Sequence, residues 1–414
     1  MNDYRVVYEI LSDVYKRQAY ASISLSRRIC LAQNREFVTR FVYGVLQDDV
    51  KLNYYISCLT SKKPQNSVTE LLKMGMYCIG SMDSVPDYAA VNNILDLAKE
   101  LGKAGSCGFL NGVLKNFCRQ TPAPPKEKAA RLSVRASVPL WIVRAYIKQY
   151  GFEKTEAFLT AVPDEREHMR INTELISVAE MKDKLDAAGA EYDDDPEFDD
   201  CLFVRNSPAL KGMFDEGLFT YQSKCSMRCC KTAEVKDGAK VLDMCAAPGG
   251  KAVYISAMAK DVSVTACDIY HHRLDLIQAY ARRMRRKLDI RLMDATVANK
   301  AFFCAFYVVM CDVPCSNLGV AAKKPDVYLF KEQSQIFGLA QEQYRILCNG
   351  ARYVKAGGDV IYSTCTLLKE ENGDVVKRFI KEHRKYKLVE SRQYFPDGEG
   401  SDGFFVAKIK RTEE

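Results

Sequence analysis

The sequence predicts a multidomain chain: an all-α amino-terminal domain, a small mixed α/β region, and a carboxyl-terminal α/β domain built on a parallel, doubly wound sheet. Three observations predict it. The 414 residues exceed what one hydrophobic core normally serves, so about two or three domains are expected. Apolar residues recur at helical spacing through the first 119 residues. From about Lys211, short β-rich runs alternate with amphipathic stretches, which is the pattern of strand–helix–strand units.

Composition narrows the class. A hydrophobic fraction of 48% and a charged fraction of 27% describe a folded globular chain rather than a disordered one. The net charge of +7 permits a phosphate-bearing partner without requiring one. The sixteen cysteines do not form a disulfide framework in a chain of this length. The start, MNDYRVVYEI, shows no secretory signal, so reduced thiols and a cytoplasmic location are expected. The most apolar run, Phe302 to Cys311, falls short of the ~20 residues that span a bilayer, so no membrane partner is expected. Only His168, His271, His272 and His383 are available as histidine ligands, and Cys225, Cys229 and Cys230 lack a second ligand pair. No metal is expected.

Residues 1–120 form the helical domain. VTRFVYGVLQDDVKLNYYISCL places Phe41, Val45, Leu52, Tyr55 and Ile56 on one face, and VTELLKMGMYCIGSM and AAVNNILDLAKEL continue the pattern. The turns SKKPQN and SVPDY separate them, with Asp87 or Ser84 as the cap of the helix that follows. Residues 121–137 carry three prolines in four positions and then basic residues, which predicts a linker. Residues 138–206 begin with the helix PLWIVRAYIKQYG and contain MRINT, a short strand. They also contain EYDDDPEFDD, read as a solvated loop because it holds seven acids and no base.

Residues 207–414 carry the alternating pattern. KVLDMC, VSVTACD, IRLMD, FYVVMCD and GDVIYSTC are five strand candidates, with helices such as HHRLDLIQAYARRMRRK between them. The tail, KLVESRQYFPDGEGSDGFFVAKIKR, predicts two more strands around a turn.

In such sheets ligands sit in the crevice beyond the strands' carboxyl ends. The first strand runs into Cys245-Ala246-Ala247-Pro248-Gly249-Gly250-Lys251 and then a helix, a turn whose small residues let backbone approach a ligand closely. A phosphate-cradling loop would need glycine at 245 and Ser or Thr at 252, where this chain has Cys245 and Ala252. The dinucleotide fingerprint is also absent. The turn therefore suits a nucleoside held without a phosphate grip. Asp268 ends the second strand, where an acid accepts bonds from ribose hydroxyls, and Asp294 ends the third, within reach of an adenine edge. Either aspartate alone reads better as a helix cap, but their repetition at consecutive strand ends favours the site.

The fourth strand ends in CDVPCSNLGV and the fifth in YSTCTL. Converging strand ends make Cys315 and Cys365 neighbours across fifty residues of sequence. Most cysteines here are small core hydrophobes, but these two lie in turns beside Asp312, Pro314, Ser363 and Thr364, where a thiol can be activated. Two thiols over one crevice suit methylation of a pyrimidine at carbon 5. That carbon becomes nucleophilic only after a thiolate adds to carbon 6, and a second group must help the thiol leave. Asp312 would hydrogen-bond the base and stabilise the adduct.

These motifs resemble a known family. CAAPGGK from Cys245, DVPCSNLGV from Asp312, STCT from Ser363 and DGFFVAKIKR from Asp402 are similar to the RsmB/NOL1/NOP2/Sun RNA cytosine-5 methyltransferases, as are MRINT and FTYQS ahead of them. The resemblance implies a Rossmann-like domain that uses S-adenosylmethionine, held by Cys245 through Lys251 together with Asp268, Asp294 and Asp312. It implies Cys365 as the nucleophile, from the T-C-[ST] motif, and Cys315, from the P-C motif, as the group tied to product release. FVYGVLQDDVKLNYYI, VPDYAAVNNILDLAK and GFLNGVLKNFCR resemble the NusB-like helical domain. That fusion implies the bacterial RsmB branch, which methylates small-subunit ribosomal RNA, with 138–206 as a small RNA-contacting region.

Two basic clusters are candidates for RNA backbone contacts: RMRRK from Arg283, joined by Arg282, and Lys126, Lys128, Arg131 and Arg135. A solvated helix face is the plainer reading of each. A monomer is expected. Two rival readings stay open: a related methyltransferase acting on DNA cytosine or protein, in which Cys315 would be the nucleophile, and a non-catalytic RNA-binding factor.

Overall fold

The computed structural model describes residues 2–162, 164, 166–205, 207–398 and 401–412. The chain forms two compact units: residues up to 160 together with 321–333, and residues 161–320 together with 334–414.

The first unit is helical. Seven helices run from Asp3–Arg17 to Cys107–Arg119, and their apolar faces, including Val7, Leu11, Phe41, Val45, Leu71, Ile94 and Leu114, close on one core. Gly44 lets two of them approach closely, since a Cβ there would lie 1.9 Å from the Tyr77 hydroxyl. Neither expected cap forms at Asp87–Glu100. Pro86 precedes the helix, no side chain caps it, and Asp87 is its first residue, where an acid still favours the exposed N–H groups.

The expected linker is half helix. Lys128–Ala136 buries Ala129 and Leu132, and the Glu127 carboxylate caps it by accepting from Ala129 N and Ala130 N. Ser137 Oγ accepts from Val50 N and Lys51 N, which fastens the segment to the helix Asp49–Leu59. The helices Leu140–Tyr150 and Phe152–Leu159 also belong to this unit. So does 321–333: Asp326 accepts from Ala21 N, and Leu329 and Phe330 pack on the helical core. Proline-rich sequence reads as linker, yet the amphipathic turns that follow find an apolar face to cover.

The second unit holds two sheets. The smaller is antiparallel, made of β1 (Glu167–Ile171), β2 (Tyr192–Asp194), β3 (Cys201–Val204) and β4 (Phe219–Tyr221) in the order β2-β3-β1-β4. It therefore continues past the boundary expected at 206, a residue outside those described. The acidic run is not all solvated loop. Asp193 and Asp194 are exposed and pair with Arg166 and Lys182, but Asp195 is buried, accepting from Glu197 N at 2.8 Å and Phe198 N at 3.1 Å with Lys224 Nζ 3.5 Å away. The turn's free N–H groups and a buried cation draw that one carboxylate inward.

The larger sheet contains all five predicted strands and both tail strands: β5 (Lys240–Asp243), β6 (Ser263–Asp268), β7 (Asp289–Leu292), β8 (Phe306–Asp312), β9 (Val354–Thr364), β10 (Tyr386–Tyr394) and β11 (Phe404–Arg411). Their order is β10-β11-β9-β8-β5-β6-β7, with β9 through β7 mutually parallel and β10 and β11 antiparallel. Both faces are covered. Val241, Val308 and Met310 enter one core, and Leu242, Val309 and Cys311 the other, which is why these strands read as continuous apolar runs. The chain leaves β5 toward β6 on one side and returns to β8 on the other, which opens a crevice beyond the ends of β5 and β8.

The basic run after His271–Arg283 is only partly available to a partner. Arg283 donates to Phe214 O and Phe219 O, both at 2.9 Å, and to Thr220 Oγ1, with its guanidinium 3.8 Å from the Phe214 ring centre. Arg286 pairs with Glu174 and donates to Ser256. Arg282, Arg285 and Lys287 remain exposed.

Candidate active site

The first wall of the crevice is the turn that follows β5. Ala246 N donates to Cys267 O and Gly249 N to Ala246 O, which folds Cys245–Gly249 tightly back before the helix Gly250–Ser256. Gly249 has φ +111°, a conformation that side chains rarely adopt, and a Cβ there would meet Ile277 Cα at 3.3 Å. Asp268, at the end of β6, is buried beside this turn and accepts from Tyr270 N at 3.3 Å. Asp294 bonds locally, accepting from Thr296 N at 2.8 Å and Thr296 Oγ1 at 2.6 Å, as a turn cap does.

The second wall comes from β8 and β9. Asp312 receives Lys251 Nζ at 2.7 Å on one carboxylate oxygen and Ser363 Oγ at 2.6 Å on the other. Burial alone would lower the Lys251 ammonium, but the Asp312 carboxylate outweighs it and holds the lysine charged. Asp243, the last residue of β5, is buried with neither carboxylate oxygen hydrogen-bonded. Burial and the nearby Asp312 charge push it up to about 7. Cys245 is pushed upward too, by burial and then by Asp243, which disfavours its thiolate.

The two loops bring the cysteines together. Cys315 Sγ and Cys365 Sγ lie 3.2 Å apart, both as free thiols, and Cys365 N donates to Cys315 Sγ at 3.3 Å. Asn317 Oδ1 accepts the Cys365 thiol at 2.7 Å and lies 3.6 Å from Cys315 Sγ. Cys365 is half-buried, and Cys315 lies just beneath the surface. Its hydrogen bond to Cys365, then burial, then the charges of Cys365 and Glu371 keep Cys315 protonated.

Of the residues predicted for the site, Asp268 and Asp312 end strands, Cys245–Gly249, Cys315 and Cys365 lie in turns, Gly250 and Lys251 open a helix, and Asp294 caps its own turn. Asp243, Asn317 and Glu371 went unremarked in the sequence. Asp243 had a signal, since it is the acid that closes the first apolar strand. Glu371 had none, because its role depends on partners from separate segments. Among the described residues no cluster suits a metal ion, and no helix is long and apolar enough to cross a membrane.

Comparison with known proteins agrees with this geometry. The family model described as 16S rRNA methyltransferase RsmB/F matches residues 231–410, and that of the NusB family matches residues 2–119. The chain is 31% identical to a probable ribosomal RNA small subunit methyltransferase B from Bacillus subtilis, with 98% of each chain covered. It is 27% identical to the ribosomal RNA small subunit methyltransferase B of Serratia proteamaculans, over 91% of this chain and 90% of the other. Among solved structures, PH0851 shares the fold across 99% of this chain and 98% of its own, with a TM-score of 0.84 at 21% identity.

The RsmB/F methyltransferases use S-adenosylmethionine, and the crevice fits it. Lys251 pairs with Asp312 and the Arg273 guanidinium lies 3.7 Å from Asp268, which leaves Asp243 as the buried carboxyl with no hydrogen bond to either oxygen. That unpartnered buried carboxyl suits a ligand carrying a sulfonium and an α-ammonium group.

Proposed function

Because the chain belongs to the RsmB/F family of 16S rRNA methyltransferases, we propose that it methylates carbon 5 of a cytosine in small-subunit ribosomal RNA, with Cys365 as the nucleophile. The observation that carries this reading is the pair of sulfurs 3.2 Å apart beside Asp312.

S-adenosylmethionine, when bound, supplies an electrophilic methyl group; Cys245 through Lys251, Asp243 and Asp268 would hold it, with Asp294 at the adenine end. Cys365 gives its proton to water, and the thiolate adds to carbon 6 of the cytosine. A carbon–sulfur bond forms, and the 5,6 electron pair moves to carbon 5, which takes the methyl group. Asp312, held by Lys251 and Ser363, accepts hydrogen bonds from the base and fixes its orientation. The carbon 5 proton then passes to water, and the carbon–sulfur bond breaks as Cys315 gives its proton to the departing Cys365 sulfur. Water restores the Cys315 proton. The small antiparallel sheet and the exposed Arg282, Arg285 and Lys287 contact RNA backbone.

RNA containing 5-fluorocytosine traps the covalent adduct, because fluorine cannot leave as a proton does. Wild type and Cys315→Ala should be trapped and Cys365→Ala should not. The reverse pattern would mean that the two cysteines exchange roles. Bisulfite mapping of ribosomal RNA from cells with and without the gene locates the target base, and identical maps would reject the reading.

A further inference from the structure

Burying a carboxylate costs several kcal/mol unless hydrogen bonds replace its water. Glu371 is fully buried directly after the Cys365 turn. Its Oε1 accepts from Ser316 Oγ at 2.5 Å, and its Oε2 accepts from Ser316 N and from Gln343 Nε2, both at 2.9 Å. Among the described residues the three donors to this carboxylate are all neutral groups, and no ion pair reaches it.

The donors tie separate segments together. Ser316 follows Cys315 directly, and its hydroxyl also lies 2.8 Å from that of Thr366, which follows Cys365. Gln343 lies on the helix Gln333–Tyr353 and donates as well to Pro314 O at 2.9 Å. Tyr362, on β9, donates to the Glu371 carbonyl at 2.5 Å. One buried anion therefore fastens the loop on each side of Cys315 to the turn that carries Cys365.

We propose that Glu371 is the positioning residue that assigns the two cysteines their roles: it clamps the Cys315 loop against the Cys365 turn and sets its carboxylate against the residue that follows Cys315. The titratable groups facing Cys315 are the Cys365 thiol, Glu371 and the Tyr362 phenol. Beside the hydrogen bond to Cys365 and burial, the Glu371 charge opposes ionisation of Cys315 and favours its role as a proton donor. This inference rests on the two-cysteine reading above, but its main test requires neither RNA nor methyl donor.

In the full chain carrying Cys365→Ser, iodoacetamide labelling of Cys315 is followed across pH by peptide mass spectrometry. Glu371→Gln keeps the side chain's reach and removes its charge. Its labelling midpoint should move down by about one unit, which is about tenfold faster labelling at pH 8. Glu371→Asp keeps the charge and shortens the reach. It should change the plateau rate and leave the midpoint in place. An unmoved midpoint in Glu371→Gln, or an equal move in both variants, overturns the charge assignment. Should Glu371→Gln not fold, Ser316→Ala tests the clamp: kcat should fall at least tenfold with KM unchanged, and an unchanged kcat overturns it. If wild type forms no 5-fluorocytosine adduct, the proposed chemistry fails whatever the labelling profile shows.

Discussion

Gly319 and Gly403 cross backbone to backbone: Gly403 N donates to Gly319 O at 2.9 Å, and a Cβ on Gly319 would lie 1.9 Å from Gly403 O. Gly319 N in turn donates to Cys365 O at 2.9 Å. The crossing therefore ties the loop after Cys315, the turn at Cys365 and the start of β11 into one assembly.

Gly319→Ala should break that assembly. Even a methyl group has nowhere to go, so the backbone must shift, at a cost of about 3 kcal/mol. The urea midpoint should fall and the yield of 5-fluorocytosine adduct with it. A variant with unchanged stability and adduct yield would show that the loops are held in register by something else.

Asp243 makes the stability of the cofactor-free chain depend on pH. Its carboxyl binds a proton more tightly when folded, at about 7, than at the ordinary 3.8 of an exposed carboxyl. Below pH 4 both states are protonated and no penalty arises. As pH rises to about 7 the unfolded chain is favoured progressively, by an amount on the order of 4 kcal/mol once both states are ionised. Asp243→Asn should therefore gain stability relative to wild type between pH 4 and 7 while losing affinity for S-adenosylmethionine. Denaturation curves that run parallel in the two proteins across that range would contradict the burial argument.

Neighbouring arginines should behave differently. Arg283→Ala removes three hydrogen bonds and a ring contact, and should cost about 2 kcal/mol of stability. Arg282→Ala and Arg285→Ala should stay within about 0.5 kcal/mol of wild type, yet each should lower the salt dependence of RNA binding by about one unit of slope. Equal thermal midpoints for all three variants would mean that Arg283 is not a structural residue.

Cys315→Ala should separate methyl transfer from release. A single turnover should still methylate unmodified RNA, while multiple turnover slows about 100-fold or more and a covalent complex accumulates on denaturing gels. Multiple turnover at the wild-type rate would remove Cys315 from the cycle.

Much of this architecture was legible before any coordinates. Five strands of the large sheet were marked by β-rich runs, four of them closed by an acid or a turn, and the tail by two strands around a turn. The glycines at 249 and 250, and the two cysteines after strand ends, marked the crevice because special backbone and special chemistry leave local traces in sequence. Other elements came out differently. Asp87 does not cap its helix, 128–136 is helix and not linker, Asp195 is buried, and Arg283 is inside the packing. For 128–136 and Arg283 a packing partner distant in sequence decided the outcome, whereas Asp87 lies one position inside its helix and Asp195 is drawn in by its own turn and by Lys224.

The sequence by itself determined the strand–helix alternation and the glycine-containing turn after the first strand, and it singled out the two candidate cysteines, because these depend on periodicity and residue type along the chain. Only the tertiary structure decided that the two sulfurs meet at 3.2 Å, that Asp312 is shared by Lys251 and Ser363, and that Glu371 is buried against Ser316 and Gln343. Distances between loops are set by how the sheet stacks its strands, and the ionisation of a buried group is set by what that stacking places around it.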